Sequence, residues 1–293
     1  MKSNYCALAL DVGGTKILAA AIGADGELLG EAERPTEAAR GGAAVLDAMR
    51  AALADLPAGL PTVRGLGISA AGVIDPDTAR VVDATDAMPG WAGTDLRAAF
   101  PGMAVHALND VHAALLGELA WGALRERPLA NAVMLTLGTG LGGALAIGGR
   151  VHTGKGHIAG HFGRARLQHG GRWRSVESLV SGTGLANLYR ELGGELPPEA
   201  GARAVLQEPL DAIAEAALAI WVEQLAAQIH NIRWTLDPEC VLIGGGMLDA
   251  KSRWWPQLQA AVQGVTLLPA ALGKRAGVFG AARHLFDQLE AGT

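Results

Sequence analysis

Two short apolar runs in this chain each lead directly into a glycine-rich turn. Residues 7–10 precede DVGGTK at 11–16, and residues 132–135 precede LGTGLGG at 137–143. Such runs are typical of buried strands entering tight turns, and the alternation of strand-like and helical stretches predicts an α/β fold. A backbone without side chains can approach phosphate oxygens and direct N–H groups at them. The similar turns therefore predict two phosphate contacts and two related lobes.

A lone acid lies between the two turns in the sequence. Asp110 follows Asn109 at the start of the helical stretch 111–118, where the pair alone would be a common helix N-terminal cap. The first turn alone is equally compatible with a β-hairpin. Neither turn matches the Walker A or the GxGxxG sequence. The ordered set favours nucleotide phosphates held from both sides and an acid that acts on a phosphate acceptor.

Five segments resemble, in order, the motifs of one enzyme family. They are DVGGTK at 11–16, LNDVHAALLGE at 108–118, LGTGLGG at 137–143, LDPECVLIGGGM at 236–247 and GVFGAARHL at 277–285. The chain thus resembles the ROK family of sugar kinases over essentially its whole length. The resemblance implies a two-lobed actin-like (ribonuclease H-like) ATPase fold with a central cleft. The expected lobes are residues 1–118 joined by the helix 279–293, and residues 119–278.

The resemblance implies ATP and Mg²⁺ as cofactors. Asp11, at a strand end, is expected to hold Mg²⁺ through water, because this ion keeps several waters and takes few carboxylates. The expected ATP contacts are Gly13, Gly14, Thr15 and Lys16 in the first turn, Thr139, Gly140 and Gly142 in the second, and Gly244, Gly245 and Gly246 beside adenosine. For the last three, a turn without a ligand is the alternative.

Asp110 is the expected catalytic residue. As general base it would accept the proton of a primary sugar hydroxyl while that oxygen attacks the γ-phosphorus in line. Asn109 would hydrogen-bond neighbouring sugar hydroxyls.

The section 149–175, which we expect to be irregular, departs from the family pattern. The family shows AGExGH and then CxCGxxGCxE, whose His and three cysteines bind a structural zinc. Here His161 replaces the glutamate of AGExGH, Arg164 replaces its zinc-binding histidine, and the cysteine positions hold Gln168, Gly170 and Ser175. Zinc requires about four N or S ligands. We therefore expect no structural zinc, and a loop held instead by packing of Trp173 or by ion pairs from Arg164, Arg166, Arg172 and Arg174.

The sugar is expected to contact His161, Arg164, Glu177 and the backbone near Gly72. An imidazole both donates and accepts, which suits an N-acetyl carbonyl, and some N-acetylmannosamine kinases of the family show AGH and lack zinc. N-acetylmannosamine phosphorylated at O6 is the expected reaction, with glucokinase and N-acetylglucosamine kinase as alternatives. His161 could also be a structural loop residue, and Glu177 an acid of the following helix.

Two non-kinase functions remain as alternatives. One is a sugar- or nucleotide-binding protein that has lost turnover, although the intact phosphate motifs disfavour it. The other is a transcriptional regulator, since the family includes repressors, but only ten residues precede Asp11 and leave no room for a winged helix.

Composition limits the partners. The net charge of −5 offers no basic surplus for nucleic acid, and no apolar run approaches the roughly 18 residues of a membrane span. The two cysteines lie in strand-like runs, as is typical of a reducing cytoplasm. We expect a cytoplasmic protein with a small sugar substrate, and a homodimer is compatible with the family resemblance.

Overall fold

The computed structural model describes residues 4–127 and 131–291. These residues form two compact units. The first unit contains residues 4–127, 153–158 and 271–291, and the second contains residues 131–152 and 159–270. Both units combine helices with a five-stranded sheet, so the predicted α/β class is confirmed.

The first unit is built on a mixed sheet with the strand order β3-β2-β1-β4-β7. Its strands are β1 (Tyr5–Val12), β2 (Lys16–Gly23), β3 (Leu28–Pro35), β4 (Thr62–Ala70), β5 (Val73–Asp75), β6 (Arg80–Asp83) and β7 (Val105–Asn109). Its helices are α1 (Gly42–Ala54), α2 (Leu96–Ala99), α3 (Asp110–Ala120) and α9 (Ala276–Ala291). Strands β1, β4 and β7 run parallel, and β2 and β3 join them as antiparallel strands.

Both faces of the first sheet are covered, which explains why β2 is apolar at nearly every position. Leu10 and Ile17 pack with α1 on one face, whereas Ala9 and Leu18 pack with α9 on the other. Because successive side chains on a strand alternate between faces, Asp11 lies on the face covered by α9.

The second unit has the strand order β10-β9-β8-β13-β14. Its strands are β8 (Ala132–Leu137), β9 (Leu141–Ile147), β10 (Arg150–Val151), β11 (Arg166–His169), β12 (Arg172–Ser175), β13 (Cys240–Gly244) and β14 (Thr266–Pro269). Its helices are α4 (Val176–Val180), α5 (Gly182–Glu191), α6 (Ala202–Val205), α7 (Ala212–Leu236) and α8 (Trp255–Ala261).

Helix α7 is long and apolar enough to cross a membrane by length and composition alone, the one such helix among the described residues. Half of that stretch is nevertheless buried inside the protein. Trp221 and Leu225 lie in the core of the second unit, and the Trp221 indole donates to the Ser181 carbonyl at 3.1 Å. We therefore interpret α7 as a core helix.

The section 149–175 is more regular than the sequence predicts. Strands β11 and β12 form an antiparallel hairpin in which Gln168 pairs with Trp173. Its two turn residues, Gly170 and Gly171, both have positive φ. This conformation favours glycine and is typical of two-residue hairpin turns.

Candidate active site

Asp11 lies near the end of β1, beside Ser69 of the parallel strand β4. The Ser69 hydroxyl donates a 2.5 Å hydrogen bond to Asp11 Oδ1. From α9, Gly277 faces the same carboxyl group, because a Cβ there would lie 2.5 Å from it. Burial and the nearby charge of Asp110 raise the pKa of Asp11 to about 7, against the opposing effects of Ser69 and Lys16. A cation would stabilise the ionised form of such a carboxyl group.

The first glycine turn is fastened from behind by Thr36, which is fully buried. The Thr36 hydroxyl donates to the Gly13 carbonyl at 2.7 Å, and its N–H donates to the Thr15 carbonyl at 3.0 Å. Gly14 and Thr15 are exposed. The exposed Lys16 ammonium lies 3.0 Å from Glu33, so it forms an ion pair in this structure.

Asp110 is the first residue of α3 and is held by its neighbours. The Asn109 amide group donates to Asp110 Oδ1 at 2.7 Å and to the Gly72 carbonyl at 2.8 Å. The Asn109 oxygen accepts from the N–H groups of Val111 and His112 and so caps the helix. Burial raises the pKa of Asp110, and the bonds from Val111 and Asn109 partly oppose this. Gly72 has a φ of +107°, a conformation that favours glycine.

The second glycine turn is held by the start of α5. The Gly138 carbonyl accepts from Gly182 N–H at 2.7 Å, and the Thr139 carbonyl accepts from Thr183 N–H at 3.3 Å. With these carbonyls tied to α5, the turn leaves the Thr139 side chain exposed and Gly140 partly exposed. The geometry suits anion binding by the backbone of the turn.

Glu177 lies in the first turn of α4 and reaches the second glycine turn. Its Oε2 accepts from the Leu141 N–H at 2.9 Å. A Cβ on Gly140 would lie 2.6 Å from the same oxygen, so glycine leaves room for the carboxylate. Ser175 caps α4 by accepting from Ser178 N–H at 3.2 Å. The Glu177 side chain is otherwise exposed.

His161 directly precedes the short 3₁₀ turn Phe162–Arg164, whose last residue is Arg164 and which packs against β9 and α4. Gly163 allows this packing, since a Cβ there would overlap the Leu141 carbonyl and lie 3.3 Å from Glu177 Cβ. Burial and the charge of Arg164 lower the pKa of His161. The imidazole is therefore neutral at neutral pH and can both donate and accept.

The β11–β12 hairpin contains Gln168, Gly170 and Ser175, the positions at which the sequence predicts no zinc ligands. Trp173 is 66% exposed, so the predicted packing through Trp173 is wrong. Leu167 packs on the core of the second unit instead. The predicted ion pairing is confirmed for Arg174, which lies 2.8 Å from Glu191. Within residues 4–127 and 131–291, no group of three or more His, Cys, Asp or Glu side chains could hold a metal ion.

Gly244, Gly245 and Gly246 follow directly from β13 into the 3₁₀ helix Gly246–Arg253. Gly245 has a φ of +88°, and a Cβ there would overlap the Leu137 carbonyl. This turn therefore lies against the end of β8, next to the second glycine turn.

The predicted site residues form one group in each unit. The first unit brings together Asp11, residues 13–16, Gly72, Asn109 and Asp110, and the second contains Thr139, Gly140, Gly142, His161, Arg164, Glu177 and residues 244–246. Sequence reasoning missed Thr36 and the Ser69 hydroxyl. Their role depends on strand pairing, which no local motif in the chain encodes.

Comparison with known proteins adds a family assignment. A model of the ROK family matches residues 7–288. An N-acetylmannosamine kinase of Escherichia coli (strain 55989 / EAEC) is 33% identical over 94% of this chain and 96% of that protein.

Two solved structures are similar in fold. A ROK family glucokinase from Streptomyces griseus, in complex with glucose and AMPPNP, has a TM-score of 0.77 and 25% identity over 94% of this chain and 98% of that chain. A ROK hexokinase from Thermus thermophilus has a TM-score of 0.80 and 26% identity over the whole of both chains.

Proposed function

Since this chain belongs to the ROK family, as its motifs predict, we propose that it transfers the γ-phosphoryl group of ATP to O6 of N-acetylmannosamine. The general class, an ATP-dependent sugar kinase, follows from the family and its sugar kinase relatives. The choice of sugar is supported most by the 33% identity to an N-acetylmannosamine kinase along nearly the whole chain.

The base of the reaction is Asp110. Its carboxylate accepts the O6 proton while a new O6–phosphorus bond forms and the bond from phosphorus to the β-γ bridging oxygen breaks, releasing ADP. Two observations support this role. The Asn109 and Val111 bonds fix the carboxylate, and its raised pKa makes it a stronger base than an exposed aspartate.

Magnesium fits the chemistry of Asp11. A carboxyl group with a pKa of about 7, close to the second carboxyl group of Asp110, favours a cation over a proton once the cation is present. When bound, Mg²⁺ would neutralise charge on the phosphates, with Asp11 holding one of its waters. The exposed Gly14 and Thr15 supply donors to the phosphates, and Gly13 lets the backbone approach them, since its own N–H donates to the Lys16 carbonyl at 3.1 Å. The Lys16 ammonium, paired with Glu33 in this structure, would turn from Glu33 to the phosphates when nucleotide binds.

The nucleotide residues of the second unit are Thr139, Gly140 and Gly142 for the phosphates and Gly244, Gly245 and Gly246 for adenosine. The proposed sugar contacts are His161, Arg164 and Glu177 in the second unit and the backbone near Gly72 in the first, whereas Asn109 orients the Asp110 carboxylate. A neutral His161 can donate to the N-acetyl carbonyl, which an ionised glutamate could not do.

ADP release from Mg-ATP, measured with five sugars, tests the proposal. N-acetylmannosamine should give a higher kcat/KM than glucose, mannose, fructose or N-acetylglucosamine. NMR of the product should place the phosphate on O6. Asp110→Asn should lower kcat by about 10³-fold or more while nucleotide affinity changes little.

A matched substitution tests the choice of sugar. His161→Glu should lower kcat/KM for N-acetylmannosamine by about tenfold or more, because a carboxylate repels the carbonyl oxygen. A preference of the unchanged protein for plain glucose would overturn the N-acetyl argument and keep the kinase. ATP binding without turnover of any of the five sugars would favour a binding protein.

A further inference from the structure

We infer that Glu177 positions the phosphate-binding turn 138–141 through the Leu141 N–H, in addition to contacting sugar. The inference deepens the proposed function and rests on it in one respect, the assumption that this turn binds nucleotide. The observation that carries it is the 2.9 Å bond from Leu141 N–H to Glu177 Oε2.

The β8–β9 hairpin closes the turn through the Leu137–Leu141 pair and the Gly138 N–H bond to the Gly140 carbonyl. Three further anchors come from outside the hairpin, and Glu177 supplies the last of them. Two carbonyls of the turn are tied to the start of α5 by Gly182 and Thr183. These anchors fix the beginning of the turn, whereas Glu177 fixes its end, at the first residue of β9. Without the third anchor, the N–H groups of residues 139 and 140 would lose the fixed orientation that anion binding requires.

The surroundings of Glu177 are shaped for this contact. Two neighbouring glycines leave room for the Glu177 side chain. A Cβ on Gly140 would lie 2.6 Å from Glu177 Oε2, and a Cβ on Gly163 would lie 3.3 Å from Glu177 Cβ. The Ser175 cap fixes the first turn of α4, on which Glu177 lies. Only one carboxylate oxygen is used by Leu141, which leaves the other for a sugar hydroxyl.

Two substitutions of Glu177 distinguish the effect of its side-chain length from the effect of its charge. Glu177→Gln retains the length of the side chain and an oxygen that can accept from Leu141, but loses the charge. Glu177→Asp retains the charge but is one methylene shorter, so it cannot span the same distance. Binding of Mg-AMPPNP is measured by calorimetry in the absence of sugar, and steady-state kinetics give KM for N-acetylmannosamine.

The inference predicts that Glu177→Asp weakens Mg-AMPPNP binding about tenfold, whereas Glu177→Gln stays within about twofold of the unchanged protein. Glu177→Gln should instead raise KM for the sugar. Glu223→Ala, which removes an exposed acid of the same unit from helix α7, is the control and should leave nucleotide affinity unchanged. Circular dichroism verifies that each variant is folded.

Equal nucleotide affinity in Glu177→Asp and the unchanged protein would overturn the inference and leave Glu177 with sugar alone. Equal loss in both variants would also overturn it, because charge and not reach would then be the cause. The nucleotide measurement contains no sugar, so a wrong choice of sugar cannot imitate either result. Absence of Mg-AMPPNP binding in the unchanged protein would overturn both this inference and the proposed kinase.

Discussion

All the hydrogen-bonding groups of the Asn109 side chain bond to other groups of the protein. Its amide N–H groups donate to Asp110 and Gly72, and its oxygen caps α3. The residue is also 5% exposed. This geometry favours a role in orienting Asp110 over the direct sugar contact that the sequence motif implies.

Replacing Asn109 by serine separates those two roles. Serine caps a helix about as well as asparagine, but its hydroxyl cannot also reach Asp110. The loss of a donor raises the pKa of Asp110 further, and a general base works only above its pKa. The acid limb of log(kcat/KM) against pH should therefore move to higher pH by about one unit.

The same variant would give a different pH profile if Asn109 bound the sugar instead of orienting Asp110. In that case KM for the sugar rises at every pH and the acid limb stays where it is. Thr36→Ser, which retains the hydroxyl behind the first turn, is a suitable control and should leave the limb in place.

Single residues also mark what the sequence could and could not predict. Asp11, Asp110 and the glycines stand in recognisable local patterns, so their places at strand ends and turns were predictable. Ser69 becomes a partner of Asp11 only through the register of two parallel strands. Trp173 is exposed because its hairpin has a solvent-facing side, which a list of nearby arginines does not indicate.

Helix α9 owes its close packing to residues without bulky side chains. A Cβ on Gly280 would overlap the Ala113 carbonyl of α3, and one on Gly67 of β4 would overlap the Ala281 carbonyl. The backbones of helix and neighbours are thus in direct contact. Since the same helix presents Gly277 to Asp11, its position also determines the surroundings of that carboxyl group.

Gly280→Ala should destabilise the protein by about 2–3 kcal/mol, because a backbone contact cannot yield as a flexible side chain can. The variant should also lose kcat/KM, since any shift of α9 moves Gly277 relative to Asp11. Urea unfolding and kinetics measure the two effects. Gly201→Ala, where a Cβ meets no atom within 4 Å, is the matched control. Equal stability of the two variants would contradict the packing argument.

The β11–β12 hairpin shows why one element was missed. Its strands carry mostly polar and charged residues, so the alternation of apolar and polar residues that indicates a half-buried strand is weak. The Gly170-Gly171 pair was the available signal, since glycine pairs are typical of two-residue hairpin turns.

The two sheets have the same strand order. In each, the strand that comes first in the chain (β1 or β8) lies in the centre of the sheet, between the second strand along the chain (β2 or β9) and the fourth (β4 or β13). In each, the first three strands are antiparallel neighbours and the last two continue in parallel from the first. The likeness of the two glycine turns in sequence thus extends to the whole sheet. Sequence alone predicts the strand–turn pairs, but the strand order depends on contacts between distant segments.

The stability of the whole molecule should depend on pH through His284. This residue of α9 is 8% exposed and stacks edge to face on His106, with ring centroids 5.9 Å apart. Its Nε2 is buried without a hydrogen-bond partner among the described residues. Burial, and then the charge of His106, lower the pKa of His284 to about 4.

In the unfolded chain a histidine has a pKa of about 6.5, so between pH 6.5 and 4 the unfolded state binds the extra proton. Protonation of His284 therefore costs no stability above pH 6.5. As the pH decreases below that value, the free energy of unfolding falls, and at pH 5 this residue alone lowers it by about 2 kcal/mol. Urea unfolding at pH 8 and pH 5 should show that loss, and His284→Leu should reduce it by the same amount. The comparison at pH 8, where both states hold a neutral imidazole, isolates the packing effect of the substitution. If the two proteins lose equal stability between pH 8 and pH 5, His284 must already be solvated and protonated in the folded state.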